Sequence, residues 1–241
     1  EGLWKLCQKD EAAAALLFGV TGSGKTSVYI KLISRVLAKG KTVLLLVPEI
    51  ALSRQLEDRL ETHFGEALMT YHSGKTSVQK RTIAERMSKT EKGGYIVLGT
   101  RSSLFLPHHD LGLIIVDEEH DSSYKQENSP RYHGRDLAVL RARLEGATIV
   151  LGSATPSLES LHNVQLEKYT MLRMDKRADG QRLPLTRVLD MRTEAKDKEF
   201  RGITASSART MIPSVYHCPW PTPGRPASAS SSPSRTATPP R

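Results

Sequence analysis

Short apolar runs alternate along the first 200 residues with stretches in which apolar residues recur every three or four positions. Runs at 15–18, 42–47, 95–98, 113–116 and 148–151 predict strands, and a weaker strand is expected at 68–71. Pro48 stops the second run, which reads as a buried strand. Residues 25–38 predict a helix with Val28, Leu32 and Val36 on one face, ended by the cationic last turn and glycine of Lys39-Gly40. A second amphipathic helix is expected over 51–64, where Leu52, Leu56 and Leu60 stand four apart. A charged helix is expected over 77–89, another over 134–144, and a short one over 157–162. Strand–helix alternation of this kind predicts an α/β fold: a mainly parallel sheet flanked by helices, joined by right-handed crossovers.

The pattern stops near residue 200. Eight of the thirteen prolines lie beyond it, leucine is absent there, and Pro, Ser, Thr, Ala and Arg dominate. Such a segment buries too little apolar surface to offset chain entropy, so 201–241 is expected to be disordered, and a shifted reading frame is one origin for it. Residues 15–200 are expected to form the folded domain, with 1–14 an N-terminal remnant or linker. A first residue of Glu rather than Met suggests a fragment or processed product.

Charge changes the picture only slightly. The formal charge is +9, but the tail carries five arginines and no Asp, Glu or Lys, which leaves +4 for residues 1–200. That is weak evidence for nucleic acid. No run approaches the roughly 20 apolar residues of a membrane span, and no signal segment opens the chain, so no membrane partner is expected. Cys7 and Cys218 are far apart and form no CxxC pair, which argues against a disulfide framework or a zinc site. His72, His108, His109 and His162 have no ligand-like spacing.

Two motifs carry chemistry. Gly19-Val20-Thr21-Gly22-Ser23-Gly24-Lys25-Thr26 matches the phosphate-binding P-loop and sits between an expected strand and an expected helix. Glycines let the backbone approach phosphates, and the following helix adds its positive end. Lys25 would reach the β- and γ-phosphates of ATP, and Thr26 would offer its hydroxyl to Mg²⁺. Asp117-Glu118-Glu119-His120 follows the apolar run at 113–116. A carboxylate at a buried strand end needs a partner. Mg²⁺ facing the P-loop would be that partner for Asp117, and Glu118 would position or deprotonate the attacking water.

Asp-Glu-Glu-His resembles the second motif of a superfamily 2 helicase of the DExH kind. Val47-Pro48-Glu49, Gly99-Thr100-Arg101-Ser102 and Ser153-Ala154-Thr155 look like motifs Ia, Ib and III, in helicase order. The longer strings around Gly99-Thr100-Arg101-Ser102-Ser103-Leu104-Phe105, Asp117 and Arg131-Tyr132-His133 closely resemble the PriA family of primosomal replication-restart helicases. The likeness covers about residues 16–192.

The resemblance implies a RecA-like lobe and a 3′-to-5′ DNA translocase, ATP-dependent, acting at stalled forks in the bacterial cytoplasm. Its partners would be forked or single-stranded DNA, the primosome and single-strand-binding proteins. Thr100 and Ser102 could donate to strand phosphates and Arg101 add charge, or all three could serve an ordinary turn. Pro48 marks a turn where family members touch DNA. Ser153 and Thr155 would link the metal site to the DNA groove, cap the next helix, or both. Together with His120 they belong to the coupling side of the expected site.

Tyr124, Lys125, Arg131, Tyr132 and His133 mix aromatics with cations, as base-stacking surfaces do. In the family this stretch is an aromatic-rich loop that reports bound DNA; the plainer reading has its tyrosines packed on their own domain. Four family features are not recognisable: a second motor lobe with its arginines, the cysteine-rich module with its zinc ions, the amino-terminal DNA-binding region, and a glutamine motif, for which Gln8 is poorly placed. The chain is therefore expected to bind nucleotide, hydrolyse it poorly and unwind nothing alone. Alternatives are an inert nucleotide- and DNA-binding fragment, or the motor lobe of another DExH DNA translocase.

Overall fold

The computed structural model describes residues 1–8, 12–52, 54–89 and 94–178. The chain begins with α1 (Gly2–Leu6), β1 (Ala14–Gly19), α2 (Lys25–Leu37), β2 (Thr42–Leu46) and α3 (Arg54–Phe64). It continues through β3 (Leu68–Tyr71), α4 (Ser77–Lys89), β4 (Ile96–Gly99) and β5 (Leu111–Val116). The two-residue strands β6 (Lys125–Gln126) and β7 (Tyr132–His133) precede α5 (Gly134–Leu144), β8 (Thr148–Ser153), α6 (Leu158–Gln165) and β9 (Thr170–Met174).

Seven strands form one sheet in the order β3-β4-β2-β5-β8-β1-β9, and every neighbouring pair is parallel. The order follows from burial. In β2 and β5 all but one residue is buried, so both faces of the central strands need covering. Alternate residues serve opposite faces: Val43, Leu45, Leu113 and Ile115 join one apolar cluster with Leu3, Leu6, Ile33 and Leu60. Leu44, Leu46, Ile114 and Val116 join the other with Met87, Ala138 and Ala142. Helices α1, α2 and α3 thus cover one face, and α4 and α5 the other.

Parallel strands end on one rim. The P-loop leaves β1 there, Pro48 follows β2, Thr100 follows β4, Asp117 follows β5, and Ser153 closes β8. In open α/β sheets ligands bind outside the carboxyl ends of the strands.

Several expectations change. Within residues 1–14, read as a remnant or linker, Gly2–Leu6 forms a helix whose Leu3 and Leu6 are buried in the core. Trp4 lies beside Arg35 and Lys39, 5.4 Å and 4.7 Å from the cations. The expected helix over 51–64 divides: a 3₁₀ turn, Glu49–Ala51, follows Pro48, and α3 begins at Arg54. Strand β9, not expected, pairs with β1 along the sheet edge. Within 124–133, read as a loop, β6 and β7 form an antiparallel pair. The segment 201–241, and the part of the expected domain beyond 178, lie outside the described residues.

Candidate nucleotide site

Residues 19–26 wrap into a closed turn. Gly22 and Gly24 adopt φ of +78° and +87°, a left-handed backbone that side chains disfavour. Gly24 caps α2 with no side-chain acceptor, so the first amides of the helix are not spent on a capping side chain. Lys25 is 9% exposed, and its Nζ donates to the Gly19 carbonyl at 3.1 Å. Among the described residues the buried Ser23 hydroxyl has no partner. Glycine backbone, an open helix N-terminus, a buried ammonium group and an unpaired hydroxyl suit an oligophosphate. Val20 and Thr26 are half-buried, and Thr21 is exposed at the turn.

The acidic motif faces this turn from β5. Asp117 N donates to Leu46 O at 2.9 Å, which fixes the strand end. Its Oδ1 accepts from the Tyr29 hydroxyl at 2.9 Å, and Tyr29 lies one helical turn after Lys25. Burial holds the Asp117 carboxyl above its usual range, with the Tyr29 bond acting the other way. Gly152 makes room for this contact: a Cβ there would overlap the Tyr29 hydroxyl. Glu118 adopts φ of +46°, and its Oε1 lies 3.8 Å from Lys25 Nζ. A buried lysine and two adjacent carboxylates therefore converge, a donor set suited to a divalent cation with phosphates.

His120 spans two motifs. Its Nδ1 is 2.8 Å from Ser153 Oγ, and its Nε2 is 3.2 Å from Thr155 Oγ1. Ser153 Oγ also accepts from Thr155 N at 3.0 Å. The cap of α6 is neither Ser153 nor Thr155 but Ser157, whose Oγ accepts from Ser160 N at 3.2 Å. Sequence reasoning missed Glu119, which is fully buried. It accepts from Ser157 N at 2.7 Å, Ser157 Oγ at 3.0 Å, Ser160 Oγ at 2.9 Å and Arg135 Nη1 at 3.1 Å. Tyr29 was missed too, although its spacing from Lys25 places both on one turn of α2.

The expected DNA residues divide. Pro48 precedes the 3₁₀ turn after β2, as a turn residue. Thr100 is 2% exposed, so its hydroxyl does not face solvent; its carbonyl accepts from Ser103 N at 2.9 Å. Arg101 spends its charge internally, donating to Ser123 O at 2.5 Å and Lys125 O at 2.8 Å. Ser102 is exposed. Tyr124 is 1% exposed, and its hydroxyl donates to Asp117 O at 2.7 Å, so it offers no face to a base. That corrects the stacking expectation for Tyr124: its ring packs on its own domain.

Tyr132 is half-buried and packs edge-on against Phe105, ring centres 5.3 Å apart. Phe105 is 61% exposed and was not anticipated. Both line a cleft with Glu49, Ser102 and Pro130. Lys125 and Arg131 are exposed; the half-buried His133 is held below its usual pKa by burial.

A fully parallel sheet with a P-loop and a carboxylate pair on one rim defines a P-loop nucleotide-binding domain of the RecA-like class. The chain belongs to the DEAD/DEAH box helicase family, whose model matches residues 5–164. ATP and magnesium serve that family generally.

Within it the chain is PriA-like. It is 42% identical to the replication restart protein PriA of Bacillus subtilis over 197 residues, 82% of this chain and 24% of that protein. It is 48% identical to the PriA of a Synechocystis species over 203 residues, again 82% of this chain and 24% of that protein. The chain thus spans about a quarter of the length of these relatives. A solved structure of RecG bound to a three-way DNA junction shares the fold, with a TM-score of 0.51 and 21% identity over 69% of this chain and 22% of RecG. Among the described residues no helix is long and apolar enough to cross a membrane.

Proposed function

We propose that this chain is the ATP-binding first motor lobe of a 3′-to-5′ DNA helicase acting in replication restart. The observation that carries the reading is the approach of Lys25 Nζ to Glu118 Oε1, 3.8 Å across the rim between the P-loop and the acidic strand end. The 42–48% identity to PriA proteins supports the restart assignment.

In this reading the turn formed by Gly19, Val20, Thr21, Gly22, Ser23 and Gly24 cradles the phosphates, through amides other than those of Val20 and Ser23, which the Met174 and Val20 carbonyls hold, and Lys25 leaves the Gly19 carbonyl to hold their outer oxygens. Thr26 and Asp117 hold Mg²⁺, which when bound neutralises phosphate charge. Glu118 accepts the proton of the attacking water at its carboxylate. His120, Ser153 and Thr155 carry the state of that carboxylate toward the DNA side. Tyr124 joins the hairpin of β6 and β7 to the end of β5, and Arg101 joins it to the turn after β4. Pro48, Ser102, Lys125, Arg131, Tyr132 and His133 meet the DNA strand. The partners are forked or single-stranded DNA, the primosome and single-strand-binding proteins, in the bacterial cytoplasm.

DNA-stimulated phosphate release is the test. Stimulation that disappears in Lys25→Ala supports a motor lobe. Nucleotide binding without turnover instead supports a holding module. Absence of magnesium-dependent affinity for adenine nucleotides in the folded chain overturns both.

A further inference from the structure

The strand that sequence reasoning missed ends beside the P-loop. Residues 175–178, which follow β9, lie across the glycine turn. Val20 N donates to Met174 O at 3.4 Å, and Ala178 N donates to Gly22 O at 2.9 Å. A Cβ on Gly24 would meet Ala178 Cβ at 3.3 Å, so the strap touches the turn at both glycines. The cations here are not equivalent. Arg173 lies 5.2 Å from the Phe18 ring centre and pairs with Asp175 at 3.4 Å. Arg177 is half-buried, and its Nε, 3.8 Å from where a Gly22 Cβ would sit, is buried without a hydrogen-bond partner among the described residues.

The sheet order says which end of a nucleotide this cation faces. Strand β1 stands between β8 and β9, and β5 lies beyond β8. Lys25 and Glu118 meet on the β5 side, so the metal-holding end of a triphosphate belongs there. The strap sits on the opposite flank of the turn, where the nucleoside end must lie. A planar guanidinium stacks on a base or donates to ribose oxygens, and an unpaired one is available for either.

We infer that the strap 175–178 forms the nucleoside end of the site, with Arg177 as a residue that binds base and ribose rather than the terminal phosphates. This rests on the proposed nucleotide-binding function. It places nucleoside recognition on the segment that follows β9.

The experiment is calorimetric titration of the 241-residue chain, wild type, Arg177→Ala and Arg177→Lys, with magnesium ATP, magnesium ADP and magnesium tripolyphosphate. Tripolyphosphate has the phosphates and no nucleoside. In Arg177→Ala, affinity for ATP and for ADP falls alike, by about tenfold, the order of one lost stacking or charged hydrogen-bond contact, and that for tripolyphosphate stays within about twofold. Arg177→Lys, which keeps the charge and loses the plane, recovers part of the loss. Equal losses for ATP and tripolyphosphate, or no change with any ligand, overturn the inference and leave the nucleotide site standing. A wild-type chain that binds none of the three overturns the nucleotide site itself. Unchanged thermal melting of the variants separates local loss from misfolding; if Arg177→Ala melts early, Arg177→Lys carries the comparison.

Discussion

The Glu119 carboxylate and the Arg135 guanidinium meet at 3.1 Å with side chains 0% and 9% exposed. Truncating one partner of such a pair leaves a buried charge. Arg135→Ala is expected to lower unfolding stability by about 3 kcal/mol. Glu119→Gln should cost less, because Arg135 keeps Asp136 at 2.8 Å and Glu159 at 3.8 Å. Urea unfolding of both variants checks the order; a near-wild-type midpoint for Arg135→Ala contradicts it.

Lys25 and Glu118 should separate binding from chemistry. Lys25→Ala is expected to weaken magnesium-dependent ATP affinity by about tenfold or more, as loss of a charge-assisted contact does. Glu118→Gln should bind ATP within about threefold of wild type and lose phosphate release by about a hundredfold, the usual scale of general-base removal. Parallel titration and phosphate-release assays read both effects in any form of the protein that turns over.

Asp117 sets a trade between fold and function. A carboxyl whose folded pKa is raised stabilises while it is protonated. That contribution is complete below the ordinary value of 3.8 and is lost as pH rises through the raised value. At neutral pH the ionised group therefore burdens the ligand-free fold. Asp117→Asn should raise the ligand-free melting temperature by about 2–4 °C, the scale of 1 kcal/mol in a domain of this size. The same variant should abolish the magnesium dependence of nucleotide binding. Scanning calorimetry with and without magnesium ATP reads both.

His108 should shape the acid limb of stability. Burial pushes its imidazole down to about 4, with Arg141 nearby adding to the shift, and its Nε2 lies 3.2 Å from Ser103 O. A depressed histidine contributes stability above the ordinary value of 6.5, and loses it as pH falls toward about 4. The slope is about 1.4 kcal/mol per pH unit in that window. His108→Gln should flatten the fall in melting temperature between those pH values; an unchanged slope places the acid sensitivity elsewhere.

Several expected elements, the weaker strand among them, appear in the structure with little change. The expected 68–71, 77–89 and 134–144 coincide with β3, α4 and α5. The central strands were legible because both of their faces are buried, which forces unbroken apolar runs. Strand β9 was not legible because it is an edge strand; its residues are exposed or half-exposed and carry no run. Helix α1 is one turn long, too short for a periodic pattern, and Leu3 and Leu6 look unremarkable until the core is seen. At the site, the P-loop and acidic motif are contiguous in sequence and could be read. The network of Glu119, Arg135, Ser157 and Ser160 joins positions as far as 41 residues apart, and only the fold brings them together. Tyr124 looked like a stacking residue because composition cannot tell an aromatic that faces water from one that faces the sheet.

That seat of Tyr124 limits how the β6–β7 hairpin can travel. The ring is enclosed, and its hydroxyl is held by the backbone of Asp117 at 2.7 Å. Lifting the hairpin off the sheet would bare the ring, at about 2 kcal/mol for an aromatic side chain. The hairpin is thus latched at its root, by Tyr124 and by the Arg101 bond to the Lys125 carbonyl.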